Sequence, residues 1–429
     1  MSDRSRPSRA ALLTLSWGAI TLALVLSAGL VWSAARPASS GAAATGWFSQ
    51  ATTDVAHGFA TRLTRGQLQQ LLRERTRGVR ASSPGRFLAG VAPEALAAQR
   101  TAFARLDPVP FRAYRLDLSE SLRLSPDMLG DGAVVVPARV TVRLPFDPAV
   151  ARDTADASFR LVQGRWRLVD VSPRHPQIWD LDAVAVARGA RSLVLSAPEV
   201  MSAASLAGEV DVAVRAVQDV WPGDWSQRVV VVVPSSQADL EALVGVPGSG
   251  GVAAITSSRD TSGPAAVRVQ LNPQVFPGLV PLARQILIRH EITHAAQYAR
   301  STTGVPAWLA EGTAEYIGYL GSGVPDSVVA ASVLAEVRTG QVPRRLPGER
   351  AFELSDGSGD RRQAYEVSWA ACRTIVDRYG RVTLFALYDA FRRLPQGQSG
   401  RQDAAFRQVL GVSPGVFTGQ WQAWLRSRA

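Results

Sequence analysis

Two of the four histidines in this chain, His290 and His294, stand four residues apart with Glu291 directly after the first. In a helix of 3.6 residues per turn such a pair shares one face, so both imidazoles can reach one metal ion. The pattern therefore demands a helix here, with its histidine face turned toward further ligands. The flanking residues agree: Pro281 suits a first turn, and Leu282, Ile286 and Leu287 form an apolar stripe, which predicts a helix over Pro281–Ala299. Glu291 is placed to act as general base on a water that the metal activates. With Glu at about 5% and His at about 1% of residues, chance gives this pattern about 0.002 times in such a chain. A solvated helix face carrying two histidines by accident is the weaker explanation.

Two histidines do not complete a site, because catalytic zinc takes three protein ligands and keeps a position for water. The one cysteine, Cys372, excludes an internal disulfide or a Cys-based zinc module, and reads as a small buried hydrophobe. No histidine follows His294, and Arg300 stands six residues on, where a metzincin would place its third. The third ligand is then a carboxylate, or one of His57 and His175, which otherwise read as surface or capping residues. The best carboxylates lie in Pro306-Ala307-Trp308-Leu309-Ala310-Glu311-Gly312-Thr313-Ala314-Glu315-Tyr316, a second helix behind a turn containing Gly304. The economical assignment makes Glu311 the ligand. Glu315, one turn on, would accept the outer N–H of a ligand histidine or remain a solvated carboxylate.

HEITH followed after sixteen residues by the first Glu of WLAEGTAEY resembles the gluzincin branch of zinc metallopeptidases, and within it the peptidase MA-like domain. The resemblance runs from about Ser192 to the end and is strongest between Leu282 and Tyr316. It implies zinc held by His290, His294 and Glu311, with Glu315 buttressing the site. It also implies that the Tyr of Ala364-Tyr365-Glu366-Val367-Ser368-Trp369 stabilises the oxyanion of the tetrahedral intermediate. The chemistry wants such a donor, and with no histidine downstream a Tyr or Arg must serve. Otherwise Tyr365 is an ordinary amphipathic-helix residue. Aminopeptidase gluzincins carry a Gly-x-Met-Glu-Asn loop upstream of the zinc helix. Here that stretch is Ala265-Ala266-Val267-Arg268-Val269-Gln270-Leu271-Asn272, without an acidic residue, which points to an endopeptidase. The strand Val267–Leu271 would then pair with an extended peptide as a sheet edge.

The rest of the chain sets the context. Residues 10–35 carry no charge, long enough as a helix to cross a bilayer, and Arg4, Arg6 and Arg9 precede them. The expectation is a single-pass cell-membrane protein with a cytoplasmic tail over 1–9, an anchor over 10–35 and a linker over 36–52. The alternative is a signal peptide cleaved near Ser33-Ala34-Ala35. Helical periodicity over Thr53–Leu106 and four strands (Phe111–Leu118, Ala133–Leu144, Ala157–Val162, Arg165–Val171) predict a small α+β roll over 53–172, similar to NTF2-like domains in element order alone. A linker over 173–190 leads to the metallopeptidase domain, 191–429, with a mixed sheet and a helical C-terminal part. There Leu193–Leu195 and Arg228–Val233 read as strands, Ala203–Val220 as a helix, Gly248–Gly251 and Ser355–Asp360 as loops (the second a candidate lid), and Trp421 and Trp424 as core anchors. The overall class is α+β.

The net charge of +11 rests on 47 basic residues, all Arg, that spread along the chain in nothing larger than pairs such as Arg344-Arg345. That distribution argues against a nucleic-acid binder. The expected partners are a peptide or protein substrate and the membrane; oligomeric state is open. The rival class is a non-enzymatic, membrane-tethered binding or assembly protein with a structural or vestigial zinc site, and a hydrolase acting on a substrate other than peptide is a third.

Overall fold

The structure is a computed structural model describing residues 51–124, 132–246, 251–258, 266–300, 304–353, 360–395 and 399–429. The expected anchor, the Gly248–Gly251 loop up to its last residue, and the Ser355–Asp360 loop up to its last residue lie outside them. Among the described residues no helix is long and apolar enough to cross a membrane. Two compact units emerge, dividing at Val184/Ala185.

The first unit opens with helix α1 (Ala51–Arg80), then α2 (Pro84–Leu88) and α3 (Leu96–Leu106). An antiparallel meander follows: β1 (Ala113–Leu118), β2 (Ala133–Arg143), β3 (Ala151–Val162) and β4 (Arg165–Pro173), ordered β1-β2-β3-β4. Strand β2 alternates as a half-buried strand must: Val134, Val136 and Ala138 point inward while Val135 faces solvent. Leu68 and Leu72 of α1 join Phe87, Phe103, Leu116 and Phe159 in the core. The turn between β3 and β4 uses Gln163 (φ 48°) and Gly164 (φ 72°), both left-handed as a two-residue hairpin of matching twist requires.

The stretch 173–190, expected as a linker, is structured. Helix α4 (Ile178–Leu181) starts on a reciprocal cap in which the Gln177 N–H donates to Asp180 Oδ2 at 2.7 Å. Trp179 is buried, edge-on to Phe111 at 5.0 Å, so the roll closes at residue 184 and not at 172. Strand β5 (Ala185–Arg188) then belongs to the second sheet. Four-residue elements between prolines are too short to display a period, which is why the sequence reads as linker.

The second unit holds β6 (Ser192–Ser196), α5 (Ala203–Gln218), β7 (Val229–Val233), α6 (Gln237–Val244), β8 (Ala254–Ser258) and β9 (Val267–Leu271), then helices α7 (Pro281–Tyr298), α8 (Ala307–Tyr319), α9 (Asp326–Val329), α10 (Ala331–Arg338), α11 (Asp360–Tyr379), α12 (Arg381–Arg393), α13 (Arg401–Leu410) and α14 (Pro414–Arg428). The sheet order is β5-β6-β7-β9-β8, parallel through β6, β7 and β9 and antiparallel at both edges. All five valines of β7 are buried, as a strand covered on both faces requires. One expectation is corrected. Strand β9 is interior, paired with β7 on one side and β8 on the other. The edge on that side is β8, a strand the sequence reading did not anticipate. Trp421 is fully buried, while Trp424 is partly exposed, donating to Asp377 Oδ2 at 3.0 Å.

Helix α8 is held between α7 and α11, and two glycines make that possible. A Cβ on Gly318 would lie 3.0 Å from the Ile286 carbonyl oxygen of α7, and one on Gly312 would lie 2.4 Å from the Ser368 carbonyl oxygen of α11. The absence of side chains at these points brings the three backbones close enough for their functional residues to meet.

Candidate metal centre

Helix α7 is buried around most of its circumference, so its polar residues can persist only if they find partners inside. His290 is fully buried, His294 is 4% exposed and Glu311 of α8 is 3% exposed. Nε2 of His290 and Nε2 of His294 are 3.0 Å apart, and Oε2 of Glu311 lies 3.1 Å from the second and 3.4 Å from the first. Three lone-pair donors thus converge on one point. Tetrahedral zinc with bonds of about 2.0–2.1 Å sets its ligand atoms about 3.3 Å apart, and these three edges match. His290, His294 and Glu311 form a buried group that can hold a metal ion.

The outer ring nitrogens also face polar side chains, His294 within hydrogen-bond geometry and His290 at a longer distance. Nδ1 of His290 faces Oε1 of Glu315 at 3.4 Å, and Nδ1 of His294 faces Oε1 of Gln297 at 2.9 Å. Glu291, between the two histidines in sequence and fully buried, turns its carboxylate to the edge strand β8. The Thr256 hydroxyl of β8 lies 2.7 Å from Oε2 of Glu291 and 2.9 Å from its backbone carbonyl, so one proton is shared between them. Oε1 has no hydrogen-bond partner among the described residues.

Charge and burial oppose each other here. Burial acts first on His294, lowering its proton affinity, but the Glu311 carboxylate reverses this and pushes it up to about 9. Burial also acts first on Glu311, upward, and is reversed by His294 and the hydrogen bonds of both histidines, which bring it down to about 2. Glu291 is raised by burial, offset only in part by the two histidines and the Thr256 hydroxyl. Glu315 is pushed up to about 7, again by burial first. Tyr365 of α11 is 2% exposed, its ring centre 6.2 Å from that of His290 and edge-on to Phe352 at 5.4 Å. Burial, reinforced by the surrounding carboxylates, drives its phenol well above the usual range, so it stays a proton donor at neutral pH.

The structure therefore brings His290, Glu291, His294, Glu311, Glu315 and Tyr365 into one unit. His175 does not join them; it is exposed and its Nδ1 lies 2.9 Å from Asp153 in the roll. The side chain of His57 lies outside the described residues. Cys372 is fully buried beside Gly312, and burial raises its thiol, which leaves it protonated and unreactive. The sequence reading missed Thr256 and Gln297. Gln297, three residues after His294 on the same helix face, was findable from spacing; Thr256 carried no local signal.

No family model matches the chain. No curated protein matches it either. Among solved structures, an M1 zinc metallopeptidase from Deinococcus radiodurans is similar at 16% identity and a TM-score of 0.35, covering 75% of this chain and 71% of that one. A mutant M1 zinc metallopeptidase from the same organism, bound to a Tyr-Ser-Ala substrate, is similar at 15% identity and a TM-score of 0.34, covering 74% and 70%. A mutant two-domain M1 zinc metallopeptidase bound to L-arginine gives 15% and 0.34, covering 75% and 72%. Superpositions this loose transfer neither ligands nor activity to this chain.

Proposed function

We propose that the chain is a zinc-dependent peptidase, held in the cell membrane by residues 10–35 with its folded part outside the cytoplasm. The observation that carries the reading is the buried convergence of His290, His294 and Glu311 with an acid, Glu291, next to the first ligand. His290, His294 and Glu311 would hold the ion, which when bound supplies a Lewis acid that polarises a carbonyl and makes water acidic near neutral pH.

The chain's own residues supply the remainder. Glu291 accepts the proton of the attacking water at Oε1, the oxygen that Thr256 leaves open, and passes it to the departing amine. Its raised proton affinity suits both halves of that task. Tyr365 keeps its phenolic proton and donates to the oxyanion of the tetrahedral intermediate. Glu315 and Gln297 orient the two histidines. An endopeptidase is the preferred form because residues 265–272 offer no carboxylate for a free amine. Strand β9 lends that preference no support, being interior.

Anchoring and orientation rest on the uncharged run and the arginines before it. The test is metal content of the purified chain together with activity on a peptide library before and after chelation. About one zinc per chain and chelator-sensitive cleavage are expected. A metal-free chain, or cleavage indifferent to chelation, removes the peptidase reading.

A further inference from the structure

Gln297 is fully buried, lies on no catalytic path and makes two directed contacts. Its Nε2 donates to the Ala310 carbonyl oxygen of α8 at 3.0 Å, and its Oε1 lies 2.9 Å from Nδ1 of His294. A carbonyl oxygen can only accept, so the amide must turn its NH2 toward Ala310 and its oxygen toward the histidine. Reversed, it would press two acceptor oxygens together at Ala310. An oxygen facing Nδ1 in turn requires that nitrogen to carry the proton. The nitrogen left to offer its lone pair to a metal is thereby Nε2, the atom 3.1 Å from Glu311 Oε2.

We infer that Gln297 is a positioning residue that sets the tautomer of His294 and couples it to the Glu311 helix. Ala310 immediately precedes Glu311, so one amide ties a ligand on α7 to the backbone carrying a ligand on α8. The two histidines are supported differently: His290 faces the carboxylate of Glu315, and His294 faces a neutral amide. The inference rests on the reading of His290, His294 and Glu311 as a metal centre.

The test uses the full chain loaded with zinc and labelled with 15N at its four histidines. In the unsubstituted protein, His294 should show a metal-bound Nε2 and a protonated Nδ1; metal at Nδ1 overturns the inference and needs no variant to do so. In Gln297→Met, which keeps length but loses the acceptor, zinc affinity measured by chelator competition should fall about 10–100-fold. The His294 Nδ1 proton should also exchange faster with solvent. Affinity within about twofold of the parent, or a lowered affinity with unchanged His294 resonances and exchange, rejects the role. If Gln297→Met does not fold, Gln297→Glu, which keeps an acceptor for Nδ1, should retain the His294 resonance pattern with weaker coupling to α8. A parent chain that binds no zinc would instead defeat the metal reading, a separate outcome.

Discussion

Gly312 on α8 and Ser368 on α11 are in backbone contact: a Cβ at the glycine would stand 2.4 Å from the Ser368 carbonyl oxygen and 2.7 Å from Cys372 Sγ. The neighbour of Gly312 is the candidate ligand Glu311, and Ser368 lies one turn from Tyr365, so this contact fixes where those two side chains sit relative to each other. Gly312→Ala must separate the helices. A loss of about 1–3 kcal/mol is expected, the usual result of overpacking a filled core. Thermal unfolding checks it, and an unchanged midpoint would show that the helices yield without cost.

Thr256→Val keeps the shape of the edge strand and removes the hydroxyl 2.7 Å from Glu291 Oε2. Zinc content should be unchanged, since Thr256 does not touch the ligand atoms. The hydroxyl's hydrogen bond orients the carboxylate, and its loss should lower kcat by about tenfold for each 1.4 kcal/mol that the orientation contributes to the transition state. That bond favours the ionised carboxylate, so its loss raises Glu291 further. Because the base must be ionised to work, the acid limb of the kcat/KM profile should move to higher pH. A limb that stays in place contradicts the link between Thr256 and the base.

Glu291→Gln separates metal binding from turnover. The substitution leaves His290, His294 and Glu311 intact, so about one zinc per chain should remain while cleavage collapses by several orders of magnitude. Full activity in this variant would assign the proton transfer elsewhere. Glu315→Gln should act in the opposite sense, weakening zinc about 10–100-fold through His290 with a smaller effect on turnover of the loaded enzyme. Equilibrium dialysis against a zinc buffer distinguishes the two.

Metal removal should be legible in pH as well as in stability. Without zinc, His294 holds a proton until about pH 9, so at neutral pH zinc must displace it. Apparent affinity should therefore rise between pH 7 and 9, with protons released to the buffer, measurable by calorimetry in buffers of different ionisation enthalpy. Zinc at about 1,000 times its Kd should stabilise the unit by about 4 kcal/mol over the chelated protein. Binding without proton release would mean that His294 is already neutral in the empty site.

The sequence alone determined the elements that depend on neighbours a few residues away. The spacing of His290 and His294 requires a helix, the apolar Ile286 and Leu287 mark it as packed against the core, five consecutive valines declare an interior strand, and Glu311 with Glu315 repeats the one-turn logic on a second helix. Tertiary structure alone decided what lies between such elements. Strand β9 sits inside the sheet and β8 at its edge because strand order is set by packing across the whole unit, which no local period encodes. Thr256 reaches Glu291 across 35 positions of chain, and Gln297 reaches Ala310 across 13. The closeness of Glu311 to the histidines depends on two glycines whose value is the side chain they lack, and a missing side chain acquires meaning only when another backbone occupies its place.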